Sequence, residues 1–313
     1  MVEIPRNIME LNKMFATEEA CRKYLEEVRW PSGPSCPRCK SNQVWKMKPP
    51  FYRCEECLHD FTVTSGTLFA DTHKPLRIWF EVIWHVVNQK NGVSALGLQR
   101  AIGFGSYRTS WNWLHKLRRA MIREGRDRLS GVVEVDETYV GGVKEGKVGR
   151  GAAGKSLVVV ATEVKGKGLG RIRLARVRDA SASSLHFAIN EMVAPGSELL
   201  TDGWQGYCGI EEKGYTRKGI KPLGLSDDDL TPRVHKVVSL LKRWLLGTHQ
   251  GAVNHAHLDY YLDEYTFRFN RRRSKSRGLL FFRLIEQALQ KEPIHGSYLV
   301  GGKRNAKLLE LGE

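Results

Sequence analysis

The first part of the chain changes from a mixed to a helical pattern of apolar positions. Residues 16–30, ATEEACRKYLEEVRW, predict one amphipathic helix with Thr17 as its N-cap. Short polar and aromatic stretches broken by prolines follow, and they favour hairpins. From about Pro75, apolar residues recur at helical spacing in PLRIWFEVIWHVVNQ, and two more helical stretches follow, SALGLQRAIG and SYRTSWNWLHKLRRAMIREG. The Gly-containing break between these two predicts a helix-turn-helix.

After Ser130 the pattern changes to that of strands. Three segments rich in β-branched residues, GVVEVDETYVGG, SLVVVATEV and GRIRLARVRD, are separated by Gly-rich turns and predict three antiparallel strands. A helix in SASSLHFAINEMV and a short strand in GSELLTDGW complete a β-β-β-α-β order. Three helices are predicted after it, in TPRVHKVVSLLKRWLLG, HAHLDYYLDEYTFRFNRR and LLFFRLIEQALQ.

The composition is that of a globular but strongly basic protein. The 313 residues are 41% hydrophobic, which is enough for two or three domains and excludes a disordered chain or a miniprotein. The 50 Lys and Arg residues against 34 Asp and Glu give a net charge of +16. Such a charge favours a polyanionic partner, nucleic acid first and an anionic membrane surface second. With no apolar run of about 20 residues and no export signal, we expect a cytoplasmic protein.

Four of the six cysteines form two CxxC pairs. Cys36 and Cys39 lie in CPRC, Cys54 and Cys57 lie in CEEC, and 14 residues separate the pairs. This spacing is typical of a ribbon in which each pair forms a turn and both turns bind one ion. Four thiolates suit Zn²⁺ in a closed tetrahedral shell, so the predicted zinc is structural. His59 is a conceivable substitute ligand, but we expect it to be a surface residue.

Two aspartates occupy positions that bring them together in the predicted sheet. Asp136 lies inside the first strand, on one face with Glu134 and Thr138, and Asp202 ends the fourth strand. The first and fourth strands of a β-β-β-α-β unit are neighbours here, so the two carboxylates are expected to meet. They repel each other unless a divalent cation neutralises them, which predicts a site for Mg²⁺ or Mn²⁺. The alternative for each Asp is a residue that caps a turn.

A third metal ligand is expected from a later helix, and two residues are candidates. His235 lies near the start of TPRVHKVVSLLKRW, and Lys242, seven residues later, projects from nearly the same face. Glu264 lies in YLDEYTFRFN. An imidazole nitrogen binds divalent ions, although Mg²⁺ prefers oxygen. The alternatives are a polar helix-start residue for His235 and a solvated acid for Glu264.

Two basic segments are candidates for DNA contact. The second helix of the predicted helix-turn-helix has the cations of a recognition helix that binds phosphates or guanine edges, namely Arg108, Lys116, Arg118 and Arg119. A solvated helix face is the alternative. The second segment, after FRFN, contains Arg271, Arg272 and Arg273 without an acid between them. It is expected to bind the backbone of target or donor DNA.

These motifs together resemble a known family, the bacterial insertion-sequence transposases with an N-terminal zinc ribbon and an RNase H-like DDE catalytic domain. The resemblance covers roughly residues 18–283 and depends on the ordered set CPRC, CEEC, VDETYVGG, TDGWQGY, RVHKVVSLLKRWLLGTHQG and YLDEYTFRFNRRRS. Members often carry Glu seven residues before a Lys in the third-ligand helix. The matching positions are His235 and Lys242, so the resemblance implies an Asp-Asp-His site with a following Lys. Glu264 is too distant from Asp202 for the usual spacing.

The expected fold class is a multidomain α+β / α/β protein. We expect a helix plus zinc ribbon at 1–72, a helix-turn-helix DNA-binding domain at 73–129, an RNase H-like (β-β-β-α-β-α) catalytic domain at 130–291 and a C-terminal tail at 292–313.

The resemblance implies a transposase that acts by two-metal phosphoryl transfer. Its expected partner is double-stranded DNA, both element ends and target. It is expected to work in the nucleoid-associated cytoplasm as a homo-oligomer in a synaptic complex. Two other functions remain open at this point. One is a catalytically silent DNA-binding regulator that uses only the ribbon and the helix-turn-helix, and the other is an RNase H-like nuclease without strand transfer.

Overall fold

The chain forms two compact units, each with its own core. The computed structural model describes residues 2–123, 125–141, 155–218, 231–251 and 253–300. The first unit comprises Met1–Arg123 and Ser274–Leu299, and the second comprises Glu124–Arg273 and Val300–Glu313. Most of the expected C-terminal tail, residues 301–313, lies outside the described residues.

The helices and strands follow the predicted order closely. The described helices are α1 (Ile8–Met14), α2 (Glu18–Arg29), α3 (Leu76–Asn88), α4 (Ala95–Ile102), α5 (Tyr107–Ala120), α6 (Ala182–Met192), α7 (Pro232–His249), α8 (Leu258–Asn270), α9 (Arg277–Leu289) and α10 (Gly296–Val300). The strands are β1 (Val44–Lys46), β2 (Tyr52–Cys54), β3 (Asp60–Phe61), β4 (Val132–Val140), β5 (Ser156–Lys165), β6 (Gly168–Val177), β7 (Glu198–Leu200) and β8 (Thr216–Lys218). Within the described chain, no helix has the length and apolar character needed to cross a membrane.

Two helices of the first unit have their N-terminal N–H groups capped by side chains, one by its own N-cap residue and the other by a residue of a different helix. Thr17 caps α2 as predicted, since its hydroxyl accepts from the backbone N–H of Ala20 at 3.2 Å. Helix α3 begins after Pro75, which provides no side-chain cap. Glu18 replaces that cap from α2, because its carboxylate accepts from the backbone N–H of Leu76 at 2.8 Å. A negative charge at this end of the helix also interacts favourably with the positive end of the helix dipole.

Helix α9 belongs to the first unit, although the sequence placed it in a 130–291 domain. The ring of Phe281 lies 5.6 to 6.3 Å, between centroids, from four aromatic rings of that unit, those of Phe15, Tyr24, Phe80 and Trp84. The apolar face of α9 is therefore buried in the core of the first unit. The main segment of the second unit ends at Arg273, just after α8.

The second unit is built on a five-stranded mixed sheet in the order β6-β5-β4-β7-β8. Strands β4, β5 and β6 pair antiparallel, as predicted, and β7 pairs parallel with both β4 and β8. The predicted neighbourhood of the first and fourth strands is confirmed. Strand β8 was not predicted, because three polar residues at a sheet edge carry no hydrophobic alternation.

Apolar layers cover both faces of this sheet. Helix α6 covers one face through a core that includes Val133, Val135, Val159, Leu185 and Ile189. Helices α7 and α8 cover the other through a core that includes Val158, Val160, Val237, Leu241 and Tyr265. The alternation along β4 places Glu134 and Asp136 on the α7 face, where their hydrogen bonds are made.

A buried carboxylate joins β4 to the start of α7. Glu134 is fully buried, and its carboxylate accepts from the backbone N–H groups of Arg233 and Val234 at 2.7 and 3.0 Å. The Arg233 guanidinium donates to the other oxygen at 2.7 Å. Thr231, at the N-cap position, makes no side-chain cap. Glu134 therefore supplies the missing cap from the sheet and fixes where α7 begins.

We expect Glu134→Ala to destabilise the second unit. It leaves the Arg233 charge and two helix N–H groups without their acceptor, and loss of one partner of a buried ion pair costs about 3 to 5 kcal/mol. Denaturant unfolding of the full-length protein measures the change. Glu198→Ala is the control, because the Glu198–Lys218 pair is more exposed, with 64% of the Lys218 side chain accessible to solvent. Exposed ion pairs contribute about 0 to 1 kcal/mol to stability. Equal effects of the two variants would contradict the role given to Glu134.

Candidate functional site

The four cysteines of the two CxxC pairs converge on one point. Their Sγ atoms all lie within 4.8 Å of one another, with 3.6 Å between Cys36 and Cys57 and 3.4 Å between Cys39 and Cys54. Among the described residues, this is the group of His, Cys, Asp or Glu side chains arranged to hold a metal ion. The donor set consists of four thiols, which as thiolates suit a soft or borderline ion such as Zn²⁺. The cluster is therefore positioned to bind a metal.

The two turns that carry these cysteines have the same backbone geometry. In the first, the N–H of Lys40 donates to the carbonyl of Cys36 at 3.0 Å, and in the second the N–H of Leu58 donates to that of Cys54 at 3.1 Å. Lys40 and Leu58 both have positive φ, 65° and 55°. Non-glycine residues rarely adopt this conformation, so both turns hold the same local strain next to the last Cys of each pair.

An aromatic cluster supports the ribbon from one side. Trp30, at the end of α2, makes edge contacts with Tyr52 and Phe61, whose rings stack on each other at 5.7 Å. Arg29 donates to the carbonyl of Val63 at 2.6 Å. The helix before the first CxxC therefore packs on the ribbon.

Asp136 lies on β4, and Asp202 lies two residues past the end of β7, the adjacent parallel strand. The pairing of β4 with β7 ends with Glu134 opposite Leu200. Asp136 and Asp202 are each two residues further on, so the register aligns them at the end of the ladder. Their charges interact, since Asp202 is one of the groups that raise the pKa of Asp136. The predicted juxtaposition of the two aspartates is thus supported by the register.

His235 contacts Asp136 directly. Its Nε2 atom lies 3.1 Å from Oδ2 of Asp136, and both side chains are partly exposed. Burial is the largest cause that raises the pKa of Asp136 to about 6, and the nearby carboxylates of Glu137 and Asp202 raise it too. A cation that binds this carboxylate must therefore displace a proton below about pH 6, and its affinity falls as the pH is lowered through that value.

These groups do not form a closed ligand cluster like that of the cysteines. In the described residues, Asp136, Asp202 and His235 are not grouped as tightly as the four thiols. A set of two carboxylates and one imidazole with open positions is nevertheless the donor chemistry of a catalytic divalent-ion site. Burial is the largest cause of the raised pKa of Asp136, and a bound cation would relieve the smaller part that comes from repulsion by Glu137 and Asp202.

The loop that carries Asp202 is held by several side chains. The guanidinium of Arg217 on β8 donates to the hydroxyl of Thr201 at 3.0 Å and to the carbonyl of Asp202 at 3.1 Å. The indole of Trp204 donates to the carbonyl of Ala180 at 2.8 Å. A Cβ atom on Gly206 would lie 2.5 Å from that same carbonyl, so glycine is required there. The unpredicted strand β8 thus positions Asp202.

Sequence analysis missed a hydrogen bond that joins the two aspartate segments. Tyr207 is fully buried, and its hydroxyl donates to Oε2 of Glu137 at 2.6 Å. Glu137 follows Asp136, and Tyr207 lies five residues after Asp202. Burial raises the pKa of Tyr207 well above its usual value, and the Glu137 carboxylate raises it further. The only sequence signal was the presence of both residues in VDETYVGG and TDGWQGY.

Glu264 is engaged elsewhere in the second unit. It is 2% exposed, and its Oε1 atom accepts from Nε and Nη2 of Arg268 at 2.8 and 2.7 Å. Glu264 is therefore buried and is not the solvated acid that was the alternative for it. Lys242 is exposed on α7, and partial burial of its ammonium, followed by the charge of Lys155, lowers its pKa.

The cations of α5 differ in their accessibility. Arg108 is exposed in the first turn, whereas Arg118 is only 2% exposed. Lys116 and Arg119 are half-buried, and Arg119 donates to the carbonyl of Glu292 at 3.2 Å. Arg118 was expected at a DNA surface, but it lies inside the first unit because α5 packs on its neighbours over most of its circumference.

The three arginines after α8 also have different surroundings. The guanidinium of Arg271 lies 4.1 Å from the centroid of the Phe267 ring, and that of Arg272 lies 4.1 Å from the Phe269 ring. Arg272 also donates to backbone carbonyls, including that of Phe269 at 2.8 Å. Arg273 is exposed. Arg271 and Arg272 therefore stabilise the end of α8, whatever else they bind.

Comparisons with known proteins match two segments of this chain. Residues 128–270 match a family model described as an ISXO2-like transposase domain, and residues 16–60 match one described as a transposase zinc-ribbon domain. An uncharacterized protein in transposable element ISH50 of Halobacterium salinarum is 24% identical over 260 residues. This similarity covers 76% of the present chain and 86% of the relative. The matched segments contain the cysteine cluster and the Asp136 site.

We expect the purified protein to contain one zinc ion per chain and Cys39→Ser to lose it. The substitution removes one of four thiolates from a closed shell, and a small ribbon depends on its metal for folding. Elemental analysis of the protein measures the stoichiometry. Cys208→Ser is the matched control, since Cys208 is an exposed thiol outside the cluster. Wild-type protein without zinc, or loss of zinc in both variants, would contradict the assignment.

Proposed function

We propose that this chain, a transposase by its zinc-ribbon and ISXO2-like domains, cuts and joins DNA strands at the ends of an insertion sequence. The two domain matches confirm the predicted resemblance to insertion-sequence transposases with an N-terminal zinc ribbon. The finer proposals concern its catalytic residues, its metal ions and its contacts with DNA.

The observation that carries the catalytic proposal is the arrangement around Asp136. Asp202 follows the end of the adjacent parallel strand, two residues past the last pair of the ladder, and His235 contacts Asp136 from α7. The sheet order, three antiparallel strands followed by two parallel ones, supports the proposed RNase H-like fold of this unit. We assign Asp136, Asp202 and His235 as the ligands of Mg²⁺ or Mn²⁺.

The ions would activate water and then the freed 3′-hydroxyl, and would neutralise charge on the phosphate that is attacked. The residues of the chain provide the conditions for this chemistry. Asp136, Asp202 and His235 would hold the ions, and Glu134 fixes the start of α7 so that His235 contacts Asp136. Lys242, two turns along the same helix, holds a DNA phosphate near the site rather than acting as acid or base.

DNA binding is assigned to several surfaces of the two units. The zinc ribbon and the helix pair α4 and α5 are proposed to recognise the element ends, as a helix-turn-helix does, with Arg108 in the first turn of α5 as the exposed cation. Lys116 and Arg119 are proposed to bind phosphates at the edge of this surface. Arg118 is withdrawn from the set because it is buried. A synaptic complex of several copies on double-stranded DNA completes the proposal.

A catalytically silent regulator explains the second unit less well. A protein that only binds DNA gains nothing from two neighbouring aspartates at a place where burial, and then the charges of Glu137 and Asp202, raise the pKa of Asp136. A nuclease without strand transfer would use the same residues. A strand-transfer assay separates it from a transposase, because only the transposase yields joined products.

We expect Asp136→Asn, Asp202→Asn and His235→Ala each to lower end cleavage at least about a hundredfold without weakening end binding. Each removes a ligand of ions that supply several kcal/mol of transition-state stabilisation. The assay maps nicks and joints on a duplex that carries the flanks of the coding region, with Mg²⁺ or Mn²⁺. His235→Glu is expected to retain activity in Mg²⁺, since carboxylate oxygen suits this hard ion.

Glu264→Gln is the control for the third ligand. It removes the charge of the pair with Arg268 while keeping the side-chain shape, so it is expected to change stability more than cleavage. Normal cleavage by His235→Ala together with an inactive Glu264→Gln that still folds would move the third ligand to α8.

We expect Tyr207→Phe to reduce cleavage about tenfold while end binding is unchanged. The variant removes the hydrogen bond that links the segments of Asp136 and Asp202, and with it about 1.4 kcal/mol of positioning energy. Tyr215→Phe is a matched control, because the buried Tyr215 hydroxyl donates to the carbonyl of Val193 at 2.9 Å, in the same unit but away from the aspartates. Equal losses of cleavage by both variants would indicate a general effect on stability.

A further inference from the structure

The second unit contains a basic cavity whose lining includes none of Asp136, Asp202 and His235. Its volume is about 450 Å³, and its walls come from the turn between β5 and β6, the first turn of α7 and the end of α8. Cations from all three elements line it, namely Lys167, Arg233, Lys236, Arg272 and Arg273. No Asp or Glu is among the described residues of the lining.

Two of these arginines build the walls of the cavity. Arg233 is paired with the buried Glu134, and it donates to the carbonyls of Gly166 and Gly168 at 2.9 and 3.3 Å. Arg272 donates to the carbonyl of Gly170 at 3.3 Å and to that of Leu169. Both guanidiniums thus join the β5–β6 turn to a neighbouring helix. The cavity is held in shape before any ligand arrives.

The other three cations are available to a ligand. Lys167, Lys236 and Arg273 are exposed, and within the described part of the chain no carboxylate lies at ion-pair distance from any of them. Like charges in one cavity repel each other, and a bound anion relieves this repulsion. These three cations therefore indicate a site for an anion that contacts more than one of them. On a surface that only faces solvent, acidic and basic residues usually alternate.

The position of the cavity on α7 indicates which anion it receives. Lys236 is adjacent in sequence to His235, so the same first turns of the helix contribute to the cavity and to the Asp136 site. A strand that presents one phosphate to the metal ligands would therefore have neighbouring phosphates on the side of the cavity. Lys and Arg side chains around a groove are the usual contacts to a phosphodiester backbone.

We propose that this cavity binds backbone phosphates of the DNA strand whose scissile phosphate lies at Asp136, through Lys167, Lys236 and Arg273. The proposal rests on the proposed function and names a binding site for its substrate. The contacts go to phosphate and not to bases, so they position the strand for cleavage without selecting its sequence.

The test measures the affinity of the full-length protein for a duplex element end over a range of salt concentrations. Lys236→Ala and Lys167→Ala are each expected to reduce the log–log slope by about 0.9, the value for one lost phosphate contact. Lys236→Arg is expected to retain the wild-type slope. Lys213→Ala is the control, an exposed lysine of the same unit outside the cavity, and should leave the slope unchanged.

Ethylation of single phosphates locates the contact on the DNA. In the wild-type and Lys213→Ala proteins, ethylation of one or two phosphates near the cleavage position should weaken the complex. In Lys236→Ala, ethylation of the phosphate that Lys236 contacts should have no further effect, because the partner of that one phosphate is already absent.

The outcomes separate the cavity from the function on which it rests. Salt-dependent binding by the wild type, with Lys236→Ala and Lys167→Ala behaving as Lys213→Ala does, would overturn the cavity and leave the proposed function standing. Wild-type binding that does not vary with salt would overturn both. A slope reduced in both cavity variants, with loss of the ethylation effect in Lys236→Ala, supports the proposal.

Discussion

The second unit depends on one buried ion pair between the sheet and a helix. The carboxylate of Glu134 on β4 accepts hydrogen bonds from the first N–H groups of α7 and binds Arg233. The guanidinium of Arg233 also donates to the β5–β6 turn. Three elements therefore meet at one carboxylate. Its neighbour on the same face of β4 is Asp136, and the helix that it fixes carries His235. The geometry of the candidate catalytic site thus follows from a residue that takes no part in the chemistry.

Several features of this arrangement could be predicted from the sequence because they depend on local periodicity and chain order. The alternation around Asp136 defines a strand face, and three consecutive strands with one crossover leave the fourth strand beside the first. The spacing of the CxxC pairs predicts their convergence for a similar reason, since two short turns leave few other arrangements. His235 was accessible through helical spacing and the family resemblance together.

Other features depend on contacts between distant residues, which no local pattern reveals. Glu134 had the pattern of a strand acid, and its role as a helix cap depends on residues 99 and 100 positions later. Arg118 had the pattern of a solvated cation, but α5 is covered by its neighbours there. The long apolar stem of arginine makes such burial possible. Strand β8 is short and polar, yet it provides Arg217, which holds the loop of Asp202.

Helix α9 makes the first unit discontinuous in the sequence. Phe281 completes an aromatic core whose other rings lie before residue 85, so the entire second unit is an insertion between two parts of the first. During synthesis the ribosome must translate the insertion before the N-terminal core is complete. A shortened product that ends within the second unit would expose Phe15, Tyr24 and Phe80 to solvent. The core of the part proposed to recognise DNA is therefore completed only after the part proposed to cut it has been made.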